Sequence, residues 1–359
     1  MKKKILHVYK SFYPETIGGI EKFIDDLTHN LSKKYDFSLL CLGSKTKIYK
    51  YKNIKIYKFK KDFEIASCPF SFEAFINFKK ISAVYDLIHY HFPFPYMDFL
   101  SFLTKKKSIV TYHSDIIRQK FFNFFYFPLR NFFISNQTYI IATSKNYLNT
   151  SKLLKKNSKK VKIIPFGLKV NSKVKINYFS NPFILFVGTL RYYKGLNVLM
   201  RAAKFIKCNI YICGNGEDFK KLKNMKTKNK LRNVFFLGRI SEQKKINLLK
   251  KCFAFVFPSN SRSEAFGIAM LEAMSFGKPL ISCKINSGTS YINKNNLTGF
   301  EIRPNDPYLL AKKINFLLNK KNFSLYKKFS RNSYVRFKSK FHILDMVRKY
   351  DQVYKSILK

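Results

Sequence analysis

The chain has 359 residues, a length that exceeds one ordinary hydrophobic core and predicts two domains of about 150–200 residues each. Its hydrophobic content of 46% excludes disorder by composition, and its six scattered cysteines, with no C-x-x-C spacing, indicate small buried side chains in a reducing compartment. The net charge of +49 suits nucleic acid, an anionic membrane surface or an anionic substrate, although an excess this rich in Lys, with only 11 Arg, also fits compositional drift.

The first half of the chain alternates short apolar runs with a helical pattern. The run "ILHVY" predicts a strand, and a Gly-containing loop then leads into "IEKFIDDLTHNLSKKY", where apolar residues recur at helical spacing. Further buried strands are predicted at "FSLLCL", "LIHYHF", "SIVTYH", "YIIATS" and "VKIIPFG". Alternating strands and helices predict a parallel, doubly wound α/β sheet.

A second series of the same kind follows a polar break, "LKVNSKVKINYFSNP". Its predicted strands are "FILFVGTL", "NIYICGNG", "NVFFLGRI", "FAFVFPS" and "PLISC", and helices are predicted from 307 to 318 and from about 324 to 359. Ligands of such folds bind at the carboxyl ends of the strands. The predicted organisation is a first domain at 1–170, a linker at 171–182, a second domain at 183–325, and a helical tail at 326–359 that packs back on the first domain.

The stretch "SEAFGIAMLEAMSFGKPLIS" carries two carboxylates in an apolar, helix-forming context. Glu264 precedes a helix predicted to start near Phe266, and Glu272 lies two turns into it, roughly 10–12 Å away. That separation is too large for the paired acids of a retaining hydrolase. It suits two hydroxyl-rich parts of one ligand, with a diphosphate at the helix N-terminus between them. The alternative is a helix-terminal charge and a solvated surface Glu.

Several motifs in this order resemble the family-4 glycosyltransferases. They are "SFYPETIGGIEKFI", "TYHSD", "IIATS", "IIPFG", "FVGTLRYYKG", "SRSEAFGIAMLEAMSFGKPLIS" and "TGF", and they span nearly the whole chain. The resemblance implies the GT-B fold, in which two Rossmann-like domains face each other across a cleft. It also implies transfer with retention of configuration and without a required metal or other cofactor.

The resemblance assigns the donor site residue by residue. Glu272 matches the Glu that binds the nucleotide ribose, and Glu264 matches the Glu that contacts the donor sugar near its reacting face. The amides of Phe266 and Gly267 would meet the diphosphate. Lys194, in "RYYKG", matches the Lys that stabilises charge on the leaving phosphate.

Other positions match the family less closely. Many relatives have Arg where this chain has Thr189, and Arg191 could supply the missing phosphate ligand or could be a surface Arg. Gly214 and Arg239 fall in loops that lie near the nucleotide base in the family.

The first domain contributes its own candidates. Gly18 and Gly19 resemble the family's Gly loop beside the donor phosphate or the acceptor, although a tight turn explains the pair equally well. His113 matches the family's His beside the donor sugar, and His91 could line the cleft. Glu21 is interpreted as an N-terminal helix charge.

The predicted function is transfer of a hexosyl unit, of mannose or rhamnose type, from a GDP- or UDP-sugar to a glycan or polyprenyl-diphosphate-linked glycan of a surface polysaccharide. No membrane span is visible, so a cytoplasmic protein is expected. The segment "FFNFFYFPLRNFFI" is either a core helix or an apolar lip that holds the protein on the inner membrane face. The alternatives are a basic nucleic-acid-binding protein, a GT-B nucleotide-sugar epimerase and a glycan phosphorylase.

Overall fold

The computed structural model describes residues 1–16, 18–116, 120–169 and 181–359; for residues 120–124 it describes the backbone only. The chain divides into two compact units: Met1–Phe166 with Leu344–Lys359, and Gly167–Ile343. Most of the predicted linker, 171–182, lies outside the described residues. All six cysteines are free and buried, which confirms their interpretation as core side chains.

The first unit follows the predicted alternation of strands and helices. Its elements are β1 (Lys3–Val8), α1 (Gly19–Leu31), β2 (Tyr35–Gly43), β3 (Lys47–Tyr51), β4 (Ile54–Lys60), β5 (Phe63–Ile65), β6 (Cys68–Phe70), α2 (Phe72–Ala83), β7 (Leu87–Phe92), α3 (Pro95–Leu100), β8 (Ser108–Tyr112), α4 (Lys120–Ser135), β9 (Tyr139–Ala142), α5 (Lys145–Thr150), α6 (Lys152–Lys156) and β10 (Val161–Ile163).

The main sheet of this unit has eight strands in the order β10-β9-β8-β7-β1-β2-β4-β3. All neighbouring strands are parallel except β3 and β4, which form an antiparallel pair at one edge. The strand order reverses between β1 and β7, so the loops after these two strands diverge and leave room for a ligand at their carboxyl ends.

The second unit begins after the break in the description. Its elements are β11 (Phe183–Val187), α7 (Leu196–Ala202), β12 (Asn209–Cys213), α8 (Phe219–Lys228), β13 (Val234–Gly238), α9 (Glu242–Lys251), β14 (Ala254–Phe257), α10 (Ile268–Ser275), β15 (Leu280–Cys283), α11 (Gly288–Ile292), β16 (Gly299–Ile302), α12 (Pro307–Leu318) and α13 (Phe323–Lys340); α14 (Ile343–Leu358) then returns to the first unit.

The sheet of the second unit is wholly parallel, with the order β13-β12-β11-β14-β15-β16. This is the doubly wound order of dinucleotide-binding folds, with its switch point between β11 and β14. β14 and β15 are buried along their whole length, which is why they read as continuous apolar runs in the sequence.

The C-terminal helical segment differs from the predicted continuous tail at 326–359. α13 belongs to the second unit, where the Tyr326 hydroxyl donates to the Phe253 carbonyl at 3.0 Å. The helix stops at Phe341 because the backbone there pairs with another segment. Leu168 donates its N–H to the Phe341 carbonyl and accepts from the Ile343 N–H, at 2.9 and 3.1 Å.

Among the described residues, none of the helices combines the length and the apolar character needed to cross a bilayer. The segment 121–134 forms most of α4. It was predicted to be either a core helix or an apolar lip at the membrane. Phe133 and Ile134 are buried in the unit's core, whereas Phe125, Phe127 and Phe132 are exposed. α4 is therefore a core helix on one face and an apolar surface on the other.

Candidate active site

The switch point of the second sheet brings together two of the predicted site residues. Lys194 ends the loop after β11, and Glu264 lies in the loop after β14. Their side chains form an ion pair, with Lys194 Nζ 2.5 Å from Glu264 Oε2, and only 12% and 10% of these side chains are exposed. The aromatic ring of Phe257 lies 4.8 Å from the Lys194 Nζ. A charge pair this well shielded from water interacts more strongly than a surface pair.

Close backbone packing fixes this pair. Gly195, directly after Lys194, has a φ of +66° and caps the N-terminus of α7. A Cβ at this position would lie 1.9 Å from the carbonyl oxygen of Pro258. Only glycine combines this conformation with so close an approach. The loops after β11 and β14 therefore touch through their backbones, which sets Lys194 beside Glu264.

The N-terminus of α10 lies between the two acidic residues of the motif. The helix begins at Ile268, two residues later than predicted, because Gly267 takes a left-handed conformation with φ +94°. Phe266 is buried, and Gly288 donates its N–H to the neighbouring Ala265 carbonyl at 2.7 Å. Within the described chain no side chain caps this helix end. Its first N–H groups can therefore serve an anion.

Glu272, one turn into α10, has a partly buried partner that the sequence did not reveal. Lys245 Nζ lies 2.7 Å from Glu272 Oε1 and 2.9 Å from Glu242 Oε2. Burial alone would lower the pKa of Lys245, but the two carboxylates outweigh it, so the pKa is raised. Only 14% of the Glu272 side chain is exposed. Glu272 is thus an oriented acceptor and not a solvated surface Glu.

The remaining positions of the second unit lie around the same sheet edge. Gly214 follows β12, where a Cβ would meet the Gly188 carbonyl at 1.9 Å. Thr189, Arg191 and Arg239 are exposed, and neither Arg forms an ion pair in the part of the chain that the structure describes. Both guanidinium groups are available to an anionic ligand, and no geometry here assigns them to one.

In the first unit, Gly18 caps α1 and Gly19 is its first residue. The carboxylate of Glu21 turns back over this helix end: a Cβ on Gly18 would lie 2.4 Å from Glu21 Oε2, and Ser11 donates to Glu21 Oε1 at 2.9 Å. This agrees with the interpretation of Glu21 as a helix-terminal charge. A negative charge here weakens the attraction of the helix N-terminus for a phosphate.

His113 lies one residue beyond the end of β8, at the carboxyl edge of the first sheet. It is 5% exposed, and burial lowers its pKa to about 3. Its Nε2 lies 3.1 Å from Nδ1 of His91, while its Nδ1 has no partner among the described residues. His113 is therefore a neutral imidazole with one nitrogen still available for a hydrogen bond.

Three further histidines lie behind His113, and the sequence did not predict that they lie close together. His91 is completely buried, so it does not line an open surface, and its Nε2 lies 2.9 Å from Nδ1 of His7. His7, His89 and His91 each bring a nitrogen within 4.8 Å of the others, a set that could hold a metal ion. However, both nitrogens of His89 are hydrogen-bonded to hydroxyls, at 2.7 and 2.8 Å. The facing registers of β1, β7 and β8 are the signal that could have grouped these residues.

Comparison with known proteins agrees with this geometry. Residues 17–171 match the model of Glycosyltransferase Family 4, and residues 171–336 match that of Glycosyl transferases group 1. The chain is 38% identical to O-antigen chain mannosyltransferase C of Escherichia coli, covering 99% of both chains. It is 39% identical to D-rhamnosyltransferase WbpZ of Pseudomonas aeruginosa, covering 85% of this chain and 84% of the relative.

The fold is also found among solved structures. The sucrose-phosphate synthase of Thermosynechococcus elongatus superposes with a TM-score of 0.82 over 99% of both chains, at 17% identity. The family matches and the two relatives, each a glycosyltransferase by name, decide between the alternatives in favour of sugar transfer. The chain belongs to the family-4 glycosyltransferases and has the GT-B fold.

Proposed function

We propose that this glycosyltransferase moves a mannose- or rhamnose-type hexosyl unit from a nucleoside-diphosphate sugar to a hydroxyl of a glycan or lipid-linked glycan. The product would be a surface polysaccharide such as an O-antigen. The sugar class and the pathway are supported by the names of the two relatives, a mannosyltransferase of the O-antigen chain and a D-rhamnosyltransferase. The donor half of the proposal is carried by the Lys194–Glu264 pair at the switch point.

The pair suggests how the donor enters. In the free protein the cation of Lys194 is neutralised by Glu264. A donor diphosphate would compete for the ammonium group, with the first N–H groups of α10, including those near Phe266 and Gly267, as further donors. Glu264 would then be released to accept hydrogen bonds from hydroxyls of the sugar. One exchange of partners would thus prepare both the leaving phosphate and the reacting sugar.

Glu272 would bind the ribose of the nucleotide. Lys245 donates to one of its carboxylate oxygens and so orients the group, and a carboxylate has enough acceptor sites to bind a ribose hydroxyl as well. The exposed cations Arg191 and Arg239 and the loop at Gly214 would lie along the rest of the nucleotide. Gly18 and Gly19, next to the carboxylate of Glu21, suit hydroxyl groups of the acceptor better than a phosphate.

The reaction would proceed with retention and without a resident metal. Lys194 supplies a fixed positive charge where negative charge develops on the leaving phosphate. No described side chain is an evident base for the attacking hydroxyl, so the leaving phosphate oxygen would accept that proton. Retention can be tested directly, because the anomeric proton of the product reports the configuration of the new bond in an NMR spectrum.

A transfer assay tests the function. GDP-mannose, GDP-rhamnose and the UDP-hexoses would be offered, in the presence of a chelator, with a polyprenyl-diphosphate-linked glycan as acceptor. We expect transfer from a GDP-sugar and loss of transfer in Lys194→Ala. Turnover with none of these donors, or activity that requires an added divalent ion, would contradict the proposal.

We further propose that the first unit docks on an anionic membrane, where a lipid-linked acceptor would be found. Three neighbouring helices present exposed aromatic rings. Phe75 of α2 stacks on Phe99 of α3 at 5.5 Å, and Phe102, just after α3, stacks on Phe132 of α4 at 5.0 Å. Phe99, Phe102 and Phe132 are each about half exposed. Exposed aromatic rings on a chain of net charge +49 fit an anionic interface.

Vesicle sedimentation tests the docking. Binding to vesicles containing phosphatidylglycerol should fall as salt is raised, and it should weaken in the double variant Phe102→Ser/Phe132→Ser. The matched control, Phe205→Ser/Phe316→Ser, changes two exposed Phe residues of the second unit. Equal binding to neutral vesicles, or equal loss in the control, would contradict this surface.

A further inference from the structure

The first unit contains a continuous chain of hydrogen-bonded imidazoles that ends at the carboxyl edge of its sheet. His7 Nδ1 lies 2.9 Å from His91 Nε2, and His91 Nδ1 lies 3.1 Å from His113 Nε2. His7 lies on β1, His91 on β7, and His113 directly follows β8. Because parallel strands of one sheet carry all three rings, their mutual geometry is fixed by the fold. His7 and His91 are 0% exposed, whereas His113 is 5% exposed.

This geometry couples the tautomers of the three rings. Burial lowers the pKa of His7 and of His113 to about 3, and it lowers that of His91 well below its usual value, so all three are neutral near pH 7. A neutral imidazole has one N–H donor and one acceptor nitrogen. Both hydrogen bonds can form only when all three rings carry the proton on Nδ1, or all three on Nε2.

The two arrangements leave a free N–H at opposite ends of the chain. With the protons on Nε2, the free donor is His7 Nε2, at a fully buried position. With the protons on Nδ1, the free donor is His113 Nδ1, at the sheet edge. Neither atom has a partner among the residues that the structure describes. An unpaired buried donor is costly. Both end atoms are buried, but His113 lies at the sheet edge and retains 5% exposure whereas His7 has none, so the arrangement that places the unpaired N–H at the His113 end is favoured.

A second unpartnered group lies beside this end. The register pairs Tyr112 of β8 with Ala142 of β9, so the next residues along the two strands, His113 and Thr143, are neighbours. The hydroxyl of Thr143 is buried and has no hydrogen-bond partner in the described chain. Because buried polar groups are normally hydrogen-bonded, two unsatisfied groups at adjacent strand ends call for a further partner, which a hydroxyl-rich ligand could supply.

We propose that His91, oriented by His7, is a positioning residue that holds His113 in its Nδ1–H tautomer, so that His113 donates a hydrogen bond to an oxygen of the sugar substrate. The identity of that ligand rests on the proposed function, but the tautomer is a property of the free protein. His89 stacks on His91 with ring centroids 4.5 Å apart, yet it bonds to the hydroxyls of Thr111 and Tyr354 and lies outside the chain.

The tautomers can be read from the ¹⁵N spectrum of the histidine-labelled full-length protein without substrate. The chain has six histidines, few enough to assign by substitution. In the wild type, His113 should show a protonated Nδ1 and an unprotonated Nε2. In His91→Leu, His113 should shift toward the Nε2–H form. His89→Leu removes an equally buried imidazole from the same strand and should leave His113 unchanged.

Turnover provides a second readout. His91→Leu should lower kcat about tenfold, the loss expected from one hydrogen bond made in the transition state, with little change in KM for the donor. His89→Leu should keep kcat near the wild-type value if it folds. Restoration of the Nδ1–H tautomer and of kcat by His91→Asn, whose amide can donate in place of Nδ1–H, would support the positioning role.

Three results would overturn the inference. They are an Nε2–H His113 in the wild type, an unchanged tautomer in folded His91→Leu, or a stoichiometric metal ion bound by these histidines in the purified protein. The wild-type spectrum alone decides the first, so the test does not depend on the folding of any variant. Absence of sugar transfer would instead overturn the proposed function and leave the tautomer result readable.

Discussion

The carboxyl edges of the two sheets present different kinds of polar group. In the second unit the candidate residues are charged and paired, Lys194 with Glu264 and Lys245 with Glu272. In the first unit they are neutral imidazoles joined by hydrogen bonds, with His113 at the outer end. Fixed charges suit a ligand that carries or develops charge, such as a diphosphate, whereas neutral donors suit the orientation of sugar hydroxyls. The difference suggests that each unit is adapted to a different part of the substrates.

The largest effect should come from the charged edge. Lys194→Ala removes the cation proposed to stabilise the leaving phosphate, so kcat should fall about 10²- to 10³-fold, the range seen when one preorganised donor to a developing anion is lost. Steady-state kinetics with the accepted donor would measure it. Lys204→Ala, an exposed Lys of the same unit, is the control. A decrease in kcat of less than about threefold would show that Lys194 does not stabilise the leaving phosphate.

A smaller effect is expected on the affinity for the nucleotide. Glu272→Gln removes a charged acceptor proposed for the ribose, and Kd for the nucleotide should rise about ten- to a hundredfold, because hydrogen bonds to charged groups contribute roughly 1.5–3 kcal/mol. Isothermal titration would measure the change. Glu242→Gln also removes a carboxylate from Lys245, but this side chain is 66% exposed, and binding should be nearly unchanged. Equal losses in both variants would point to Lys245 and not to the ribose.

The stability of the first unit should depend on pH through its buried histidines. The pKa of His7 and of His113 is about 3 when folded and about 6.5 when unfolded. Below pH 6.5 the unfolded state therefore binds more protons than the folded state. The free energy of unfolding is highest above that pH and decreases as the pH falls toward 3. For each histidine the decrease is at most about 1.4 kcal/mol per pH unit. Urea unfolding at pH 7 and pH 5 should show a smaller difference in His7→Phe than in the wild type. Identical differences would mean that His7 is not buried as a neutral group.

Much of the architecture could be predicted because local signals agreed with the fold. α12 begins and ends where predicted, since the Asp306 side chain caps it and Pro307 opens it. The hairpin of β3 and β4 was missed, because β3 has no buried residue and β4 mixes exposed Lys with buried apolar residues, so neither strand forms a continuous apolar run. The break after α13 was missed because it depends on pairing with Leu168, far away in the sequence.

The sequence likewise predicted the part of the candidate site that depends on a local motif, and it did not predict the contacts between distant residues. The spacing of Glu264 and Glu272 is local and therefore visible in a motif. The partner of Glu272 is Lys245, one Lys among many, and no spacing rule distinguishes it. The imidazole chain joins residues 84 and 22 positions apart, and only the register of β1, β7 and β8 brings them together. Contacts set by strand order are the part that this sequence alone does not disclose.

The measurement that tests the central claim most directly is the free energy of unfolding with and without nucleotides, in the presence of a chelator. GDP or UDP at 100 times its Kd should stabilise the wild type by roughly 2.7 kcal/mol. The same concentration should give Glu272→Ala a distinctly smaller increase. No stabilisation by any nucleotide, or equal stabilisation of both proteins, would contradict a donor site at the switch point of the second sheet.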